Sequence, residues 1–173
     1  MLDVTELVLE DHHTLRLRFA ALDDAQDMTD DAQRVEALTV LWKDLADLLE
    51  VHAQCEEEVF YPQLLKKQTE DGEDEAEDAI EDHNAIRDAV REAAQHEVDS
   101  ADWWKAVGEA RTENSKHIAE EEREALPDFR HASTLEQRQQ LAVAWTKWRS
   151  EHQPPQDISD EDKDAETYIR QNS

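Results

Sequence analysis

His52-Ala53-Gln54-Cys55-Glu56-Glu57-Glu58-Val59-Phe60-Tyr61-Pro62 decides the fold, because the phrase is written again as His117-Ile118-Ala119-Glu120-Glu121-Glu122-Arg123-Glu124-Ala125-Leu126-Pro127. In each copy a glutamate follows the histidine by four residues and a proline follows it by ten. Residues four apart sit one turn apart on one helix face, so His52 with Glu56, and His117 with Glu121, aim an imidazole and a carboxylate at a common point. A second phrase precedes each copy: Glu10-Asp11-His12-His13-Thr14-Leu15-Arg16 and Glu81-Asp82-His83-Asn84-Ala85-Ile86-Arg87. The chain therefore reads as a duplicated helix pair.

Working outward, each phrase falls in an apolar stripe with helical steps of three and four. The first helix carries Val8, His12, Leu15, Phe19 and Leu22. The second carries Val35, Leu38, Trp42, Leu45, Leu49, His52, Glu56 and Val59 and opens at Asp30 or Asp31. Ala76, Ile80, His83, Ile86 or Arg87, Val90 and Ala94 mark the third, which opens near the end of a polar stretch from Lys66 to Asp78 that holds the loop between the halves. Trp103, Val107, Ala110, Asn114, His117 and Glu121 mark the fourth. Pro62 and Pro127 are expected to end the second and fourth helices, with packing through Leu64 and Leu65 after a kink as a second reading at Pro62. The fold class is all-α, an up-down-up-down four-helix bundle over residues 1–152. A short fifth helix follows the connection Asp128 to Ser133, with Ser133 to Glu136 resembling a capping box and Leu141, Trp145 and Trp148 on its apolar side. Residues 153–173 carry too little apolar content to pack and are expected to form a mobile acidic tail.

Composition narrows the function. Forty-five acidic and 18 basic side chains give a net charge of −27, which repels phosphate backbones and anionic bilayers and so excludes nucleic acid and membrane as partners. The acidity reads as a solvated surface, with adaptation to high salt as a second reading. The single cysteine, Cys55, rules out an intrachain disulfide and is expected to be a buried thiol. With no apolar run of about 20 residues and no basic leader, a cytoplasmic protein is expected, as monomer or homodimer.

Burying two carboxylates in apolar seams requires a cation, because an unpaired buried charge costs several kcal/mol, roughly. Counted from the helix ends at about 1.5 Å per residue, the four histidines fall at one level. Four imidazoles and two carboxylates exceed a closed tetrahedral zinc site, and suit two adjacent first-row metals with carboxylates between them. The spacing differs from the ExxH signature of ferritin-like di-metal bundles.

On the Asp-His pairs of the first and third helices and the HxxxE-to-proline phrases of the second and fourth, the sequence resembles a hemerythrin-like (HHE cation-binding) protein from His12 to about Pro127. The resemblance implies a non-heme centre of two iron ions held by His12, His52, Glu56, His83, His117 and Glu121, with Glu56 and Glu121 as bridges. The repeat selects His12 over His13. In oxygen-carrying hemerythrins a further histidine stands one turn after the third-helix histidine; here that position is Arg87. The implied function is binding of dioxygen or a related small molecule, for storage, sensing or iron handling. The alternative is an enzyme consuming peroxide or nitric oxide.

The remaining polar residues divide in two. Arg16 and Arg87, equivalent in the repeat, read as salt-bridge partners, or as groups that orient a bridging glutamate. Tyr61 reads as a packed aromatic within reach of the site. Glu57, Glu58, Glu120 and Glu122 read as a solvated face, with an auxiliary ligand among them as a second reading because Glu57 and Glu120 adjoin the seam, and His96, His131 and His152 read as surface residues.

Overall fold

The computed structural model describes residues 2–66, 72–152, 154 and 158–173, and every regular element among them is helical. Asp3 opens α1, Val4–Gln26, with a side chain that accepts from Thr5 N. Asp30 does the same for α2, Asp31–Cys55, through Gln33 N, and Ser100 for α5, Ala101–Arg123, through Trp103 N. Each cap satisfies an amide that the first helical turn cannot pair internally. Between them α4, Gly72–Ala93, starts within the polar stretch, earlier than the expected opening near its end. Glu73, Asp74 and Glu75 fill its first turn, where negative charge offsets the positive end of the helix dipole. Residues 67–71 of that loop lie outside the described residues.

The two prolines act differently from each other, and at Pro62 the packing continues through the buried Leu64 and Leu65. Ahead of Pro62, α2 passes into a π-helical turn, Glu56–Phe60, in which Tyr61 N–H bonds to Glu56 O, and the chain continues as α3, Tyr61–Lys66. A wider turn accommodates a residue that has no N–H to give and whose ring crowds the preceding turn. In the second copy the helix breaks instead. Glu124 leaves the helical region at φ −121° and ψ −79°, and α6, Ala125–Ala132, restarts with Pro127 in its first turn, where the missing N–H leaves no bond unmade. The expected connection after Pro127 is thus helical, and its Phe129 packs edge-on against Phe60 at 5.1 Å.

α1 packs on α2 and α5, and α4 on α5 and α2, closing four long helices into a helical bundle. α7, Leu135–Glu151, lies against α1, α2 and the π turn. Its capping box uses Thr134 and Gln137, one residue later than the predicted pair, because Thr134 holds the extended cap conformation and both reciprocal bonds form there. Two apolar clusters fill the interior. One holds Leu15, Phe19, Leu45, Leu49, Ile86 and Trp103; the other holds Val8, Cys55, Phe60, Ile80, Phe129 and Trp145. His12 lies between Val8 and Leu15, His52 between Leu49 and Cys55, and His83 between Ile80 and Ile86, so a buried polar layer separates the clusters.

The tail expectation is corrected at its far end. Asp164 caps α8, Ala165–Asn172, whose Ala165 and Tyr168 are buried in the second cluster. Apolar content is low, but one tyrosine packed at helical spacing and a set of hydrogen bonds to α4 suffice to dock the segment. No helix among the described residues is long and apolar enough to cross a membrane.

Candidate metal centre

All six sequence-selected residues converge in the polar layer, each nearly or wholly inaccessible to solvent. Their ligand atoms form two groups in which the atoms lie within 4.8 Å of one another: His12, His52, Glu56 and Glu121, and then Glu56, His83 and His117. Glu56 belongs to both. Its Oε1 faces His52 Nε2 at 3.3 Å and its Oε2 faces His83 Nε2 at 3.4 Å and His117 Nε2 at 3.7 Å. Glu121 Oε2 stands 3.1 Å from His12 Nε2 and 3.5 Å from His117 Nε2. Rings on neighbouring helices meet edge-on, His12 against His52 at 5.1 Å and His83 against His117 at 4.5 Å.

Two of these atoms test whether the set fits a cation. His52 Nε2 and Glu56 Oε1 are fully buried and have no hydrogen-bond partner among the described residues, although they face each other at 3.3 Å. Orphaned buried polar atoms are rare because desolvation is costly. A cation between a nitrogen lone pair and a carboxylate oxygen removes that cost, so the donor set fits a metal.

The repeat also organises what holds the imidazoles, and it does so crosswise. His12 Nδ1 on α1 meets Glu122 of α5 at 3.0 Å, and Arg16 binds the same carboxylate at 2.9 Å. His83 Nδ1 on α4 meets Glu57 of the π turn at 2.8 Å, where Arg87 binds at 3.0 Å. The aspartates of the other phrase answer in return. Asp11 stands 3.4 Å from His52 Nδ1 and accepts from Arg149 at 2.6 Å. Asp82 faces His117 Nδ1 at 4.0 Å, beyond hydrogen-bond reach, and takes Lys116 at 2.6 Å. A carboxylate on Nδ1 fixes the tautomer and points the Nε2 lone pair inward, the usual support for a metal-binding histidine. Each phrase thus carries inward ligands, one in the Asp-His phrase and two in the HxxxE phrase, together with a carboxylate turned toward a ring on another helix.

Glu57 and Glu122 are therefore not a solvated face. Glu57 is buried, and Arg87, Glu50 and Lys163 complete its surroundings, with Lys163 reaching it from the segment ahead of α8. The repeat held the signal: both residues directly follow the glutamate of HxxxE. Glu58, by contrast, is exposed and accepts from Trp148 Nε1 at 2.7 Å. Arg16 and Arg87 are salt-bridge partners, and the carboxylates they bind orient histidines. Tyr61 is more than a packed aromatic. Its hydroxyl donates to Glu121 Oε1 at 2.9 Å with Glu56 Oε2 also in reach at 3.3 Å, and its ring stacks on His83. His13 and His131 are exposed, His96 pairs with Glu92 of its own helix, and His152 stacks on Trp148.

Electrostatics follow the same pairs. Burial would lower the His83 imidazole, yet Glu56 and Glu57 outweigh it and raise the group to about 9. Burial would raise Glu57, but His83, Arg87 and Lys163 hold it down at about 2. Glu56 is held well below the usual carboxylate range against its burial, by His52, His117 and His83. Burial, with Glu121 and Glu56, pushes the Tyr61 hydroxyl well above an ordinary phenol, so it stays a hydrogen-bond donor. Burial likewise pushes up the Cys55 thiol, which keeps it out of thiolate chemistry.

One cavity of about 510 Å³ reaches the layer between α4 and α5, with His117 and Glu121 in its wall. Acidic side chains, among them Asp74, Asp78, Glu120, Glu124 and Asp128, line most of the rest, against the guanidinium of Arg123.

A family model described as Hemerythrin HHE cation binding domain matches residues 3–129. No curated protein and no solved structure matches.

Proposed function

The chain belongs to the hemerythrin HHE cation-binding domain family, and from that premise we propose that its polar layer holds two iron ions and that the site binds dioxygen or a related small neutral molecule. The observation that carries the reading is the facing pair of orphaned atoms, His52 Nε2 and Glu56 Oε1. His12, His52 and Glu121 would hold one ion and His83 and His117 the other, with Glu56 between them and Glu121 also turned toward His117. When bound, such a pair supplies reversible two-electron chemistry at positions left open by the protein.

The chain's own groups leave the site open, a state that reversible binding and turnover share. Arg87 stands where oxygen carriers of the family have a further histidine, and its guanidinium turns to Glu50 and Glu57. The His83–His117 group consequently has the smaller ligand set and lies beside the cavity. Tyr61 offers a proton that it keeps, and so positions carboxylate oxygens without acting as an acid.

Iron content of the purified protein, followed by optical spectra of the reduced form under air and then argon, tests the proposal. Two irons per chain and a band that appears with oxygen and leaves with it are expected. One ion or none sinks the di-iron reading. Sustained consumption of added peroxide, with the spectrum restored afterwards, replaces binding with catalysis.

A further inference from the structure

The family match stops at residue 129, yet two cations from beyond it reach carboxylates that orient site histidines. Arg149, on α7, binds Asp11, which faces His52 Nδ1. Lys163, just ahead of α8, binds Glu57, which accepts from His83 Nδ1. These two histidines fall in different ligand groups, so each group receives one outside support. The other two relays draw their cations, Arg16 and Lys116, from inside the bundle.

Lys163 is not a loose surface contact. Asn84, the residue after His83, clamps its backbone from both sides, donating to Lys163 O at 2.7 Å and accepting from Lys163 N at 3.0 Å. The Tyr168 hydroxyl donates to the backbone carbonyl of Glu57, Arg91 Nη1 donates to Asp160 O at 2.7 Å, and Ser159 N donates to Gln54 at 3.0 Å. On the α7 side, the Trp145 ring lies 6.2 Å from that of His52. The segment is thus fixed to the elements that carry His52 and His83, with its cations on the carboxylates behind them.

We propose that Arg149 and Lys163 are positioning residues of the metal centre, each acting on one ion of the pair, Arg149 through Asp11 and His52, Lys163 through Glu57 and His83. The inference rests on the two-ion reading for its affinity arm alone. A cation on the outer carboxylate holds that group in place, and a fixed carboxylate holds the ring. Loss of the carboxylate on a ligating histidine typically weakens a metal site by about 10–100-fold, and loss of the cation behind it acts at the low end of that range.

Full-length R149Q and K163Q, with R149K and K163R as charge-preserving controls, provide the test. In metal-free protein labelled with ¹⁵N-histidine, K163Q shifts the His83 imidazole resonances and leaves those of His52, and R149Q does the reverse. In anaerobic Fe(II) titrations each variant weakens one of two binding steps about ten-fold or more, and the lysine and arginine swaps restore it. Unchanged imidazole signals, or both histidines shifting together in either variant, overturn the proposal. A wild-type protein that fails to take two ions refutes the di-iron reading instead, and the resonance arm still decides the roles of Arg149 and Lys163.

Discussion

Raising the pH from 6.5 to 9 should destabilise the metal-free protein, and the geometry around His83 sets the size. Protonated, this ring donates Nδ1–H to Glu57 at 2.8 Å and Nε2–H to His117 Nε2 at 3.1 Å, so the imidazolium stands in for a cation. Its folded value of about 9 lies above the ordinary 6.5. A raised value means that the folded state binds the proton more tightly than the unfolded chain, so the stabilisation is complete below pH 6.5 and disappears as pH climbs through about 9. At about 1.4 kcal/mol per pH unit the loss is on the order of 3 kcal/mol. His12, raised by Glu121, Glu56 and Glu122 against its burial, acts in the same direction. Urea unfolding of chelator-treated protein reads the effect. With a slope of about 2 kcal/mol/M for a protein of this size, the midpoint falls by roughly 1.5 M over the window. The buried Cys55 thiol departs from the unfolded state only toward 9.0 and above, and C55A removes its share. A midpoint that stays level or rises toward pH 9, or an H83Q variant with the wild-type slope, refutes the reasoning. Loaded protein should behave oppositely, since a metal displaces these protons and binds more tightly as they leave.

Acid unfolding attacks the same pair from the other side: with Glu57 held at about 2, its contribution is present above pH 4.5 and lost as pH falls toward 2, which a pH-jump fluorescence titration of the apo protein follows and E57Q abolishes. Glu56→Ala should remove both ions, because its carboxylate is common to both ligand groups, whereas His52→Ala should remove one; metal content per chain separates the two results, and equal losses count against the shared role. Arg87→Ala leaves Glu57 with Lys163 alone on its outer side and should cost about 3–5 kcal/mol by urea unfolding, as breaking a buried pair does, while two ions still load. Tyr61→Phe removes a buried donor to Glu121 and should cost about 1–3 kcal/mol in the apo protein; no change would show the hydroxyl idle.

What could be read from the sequence and what could not divide along a physical line. Helix existence and the six inward residues were legible because a 3.6-residue period and an apolar seam project directly into space, as His12 between Val8 and Leu15 illustrates. Helix ends were less so. The π turn after Cys55 and the break at Glu124 precede two prolines at identical spacing, and what differs is their tertiary setting: the π turn packs Phe60 on Phe129 and takes Trp148 on Glu58. Glu57 was missed because a run of three acids looks like a wet surface until Arg87 and Lys163 are known to meet it. Lys163 itself sits in a stretch whose low apolar content hid the docking of Tyr168.

The acid-walled cavity beside His117 has a bearing on what can reach the layer at all. Its walls carry a local negative field added to a net charge of −27. A neutral gas crosses such a field at no electrostatic cost, and a divalent cation is drawn inward. Small anions would be repelled until salt shortens the reach of the walls to about 8 Å near 0.15 M. Selectivity here would then be a filter by charge placed ahead of any contact with the site, and ionic strength would tune the entry of anions while leaving dioxygen untouched.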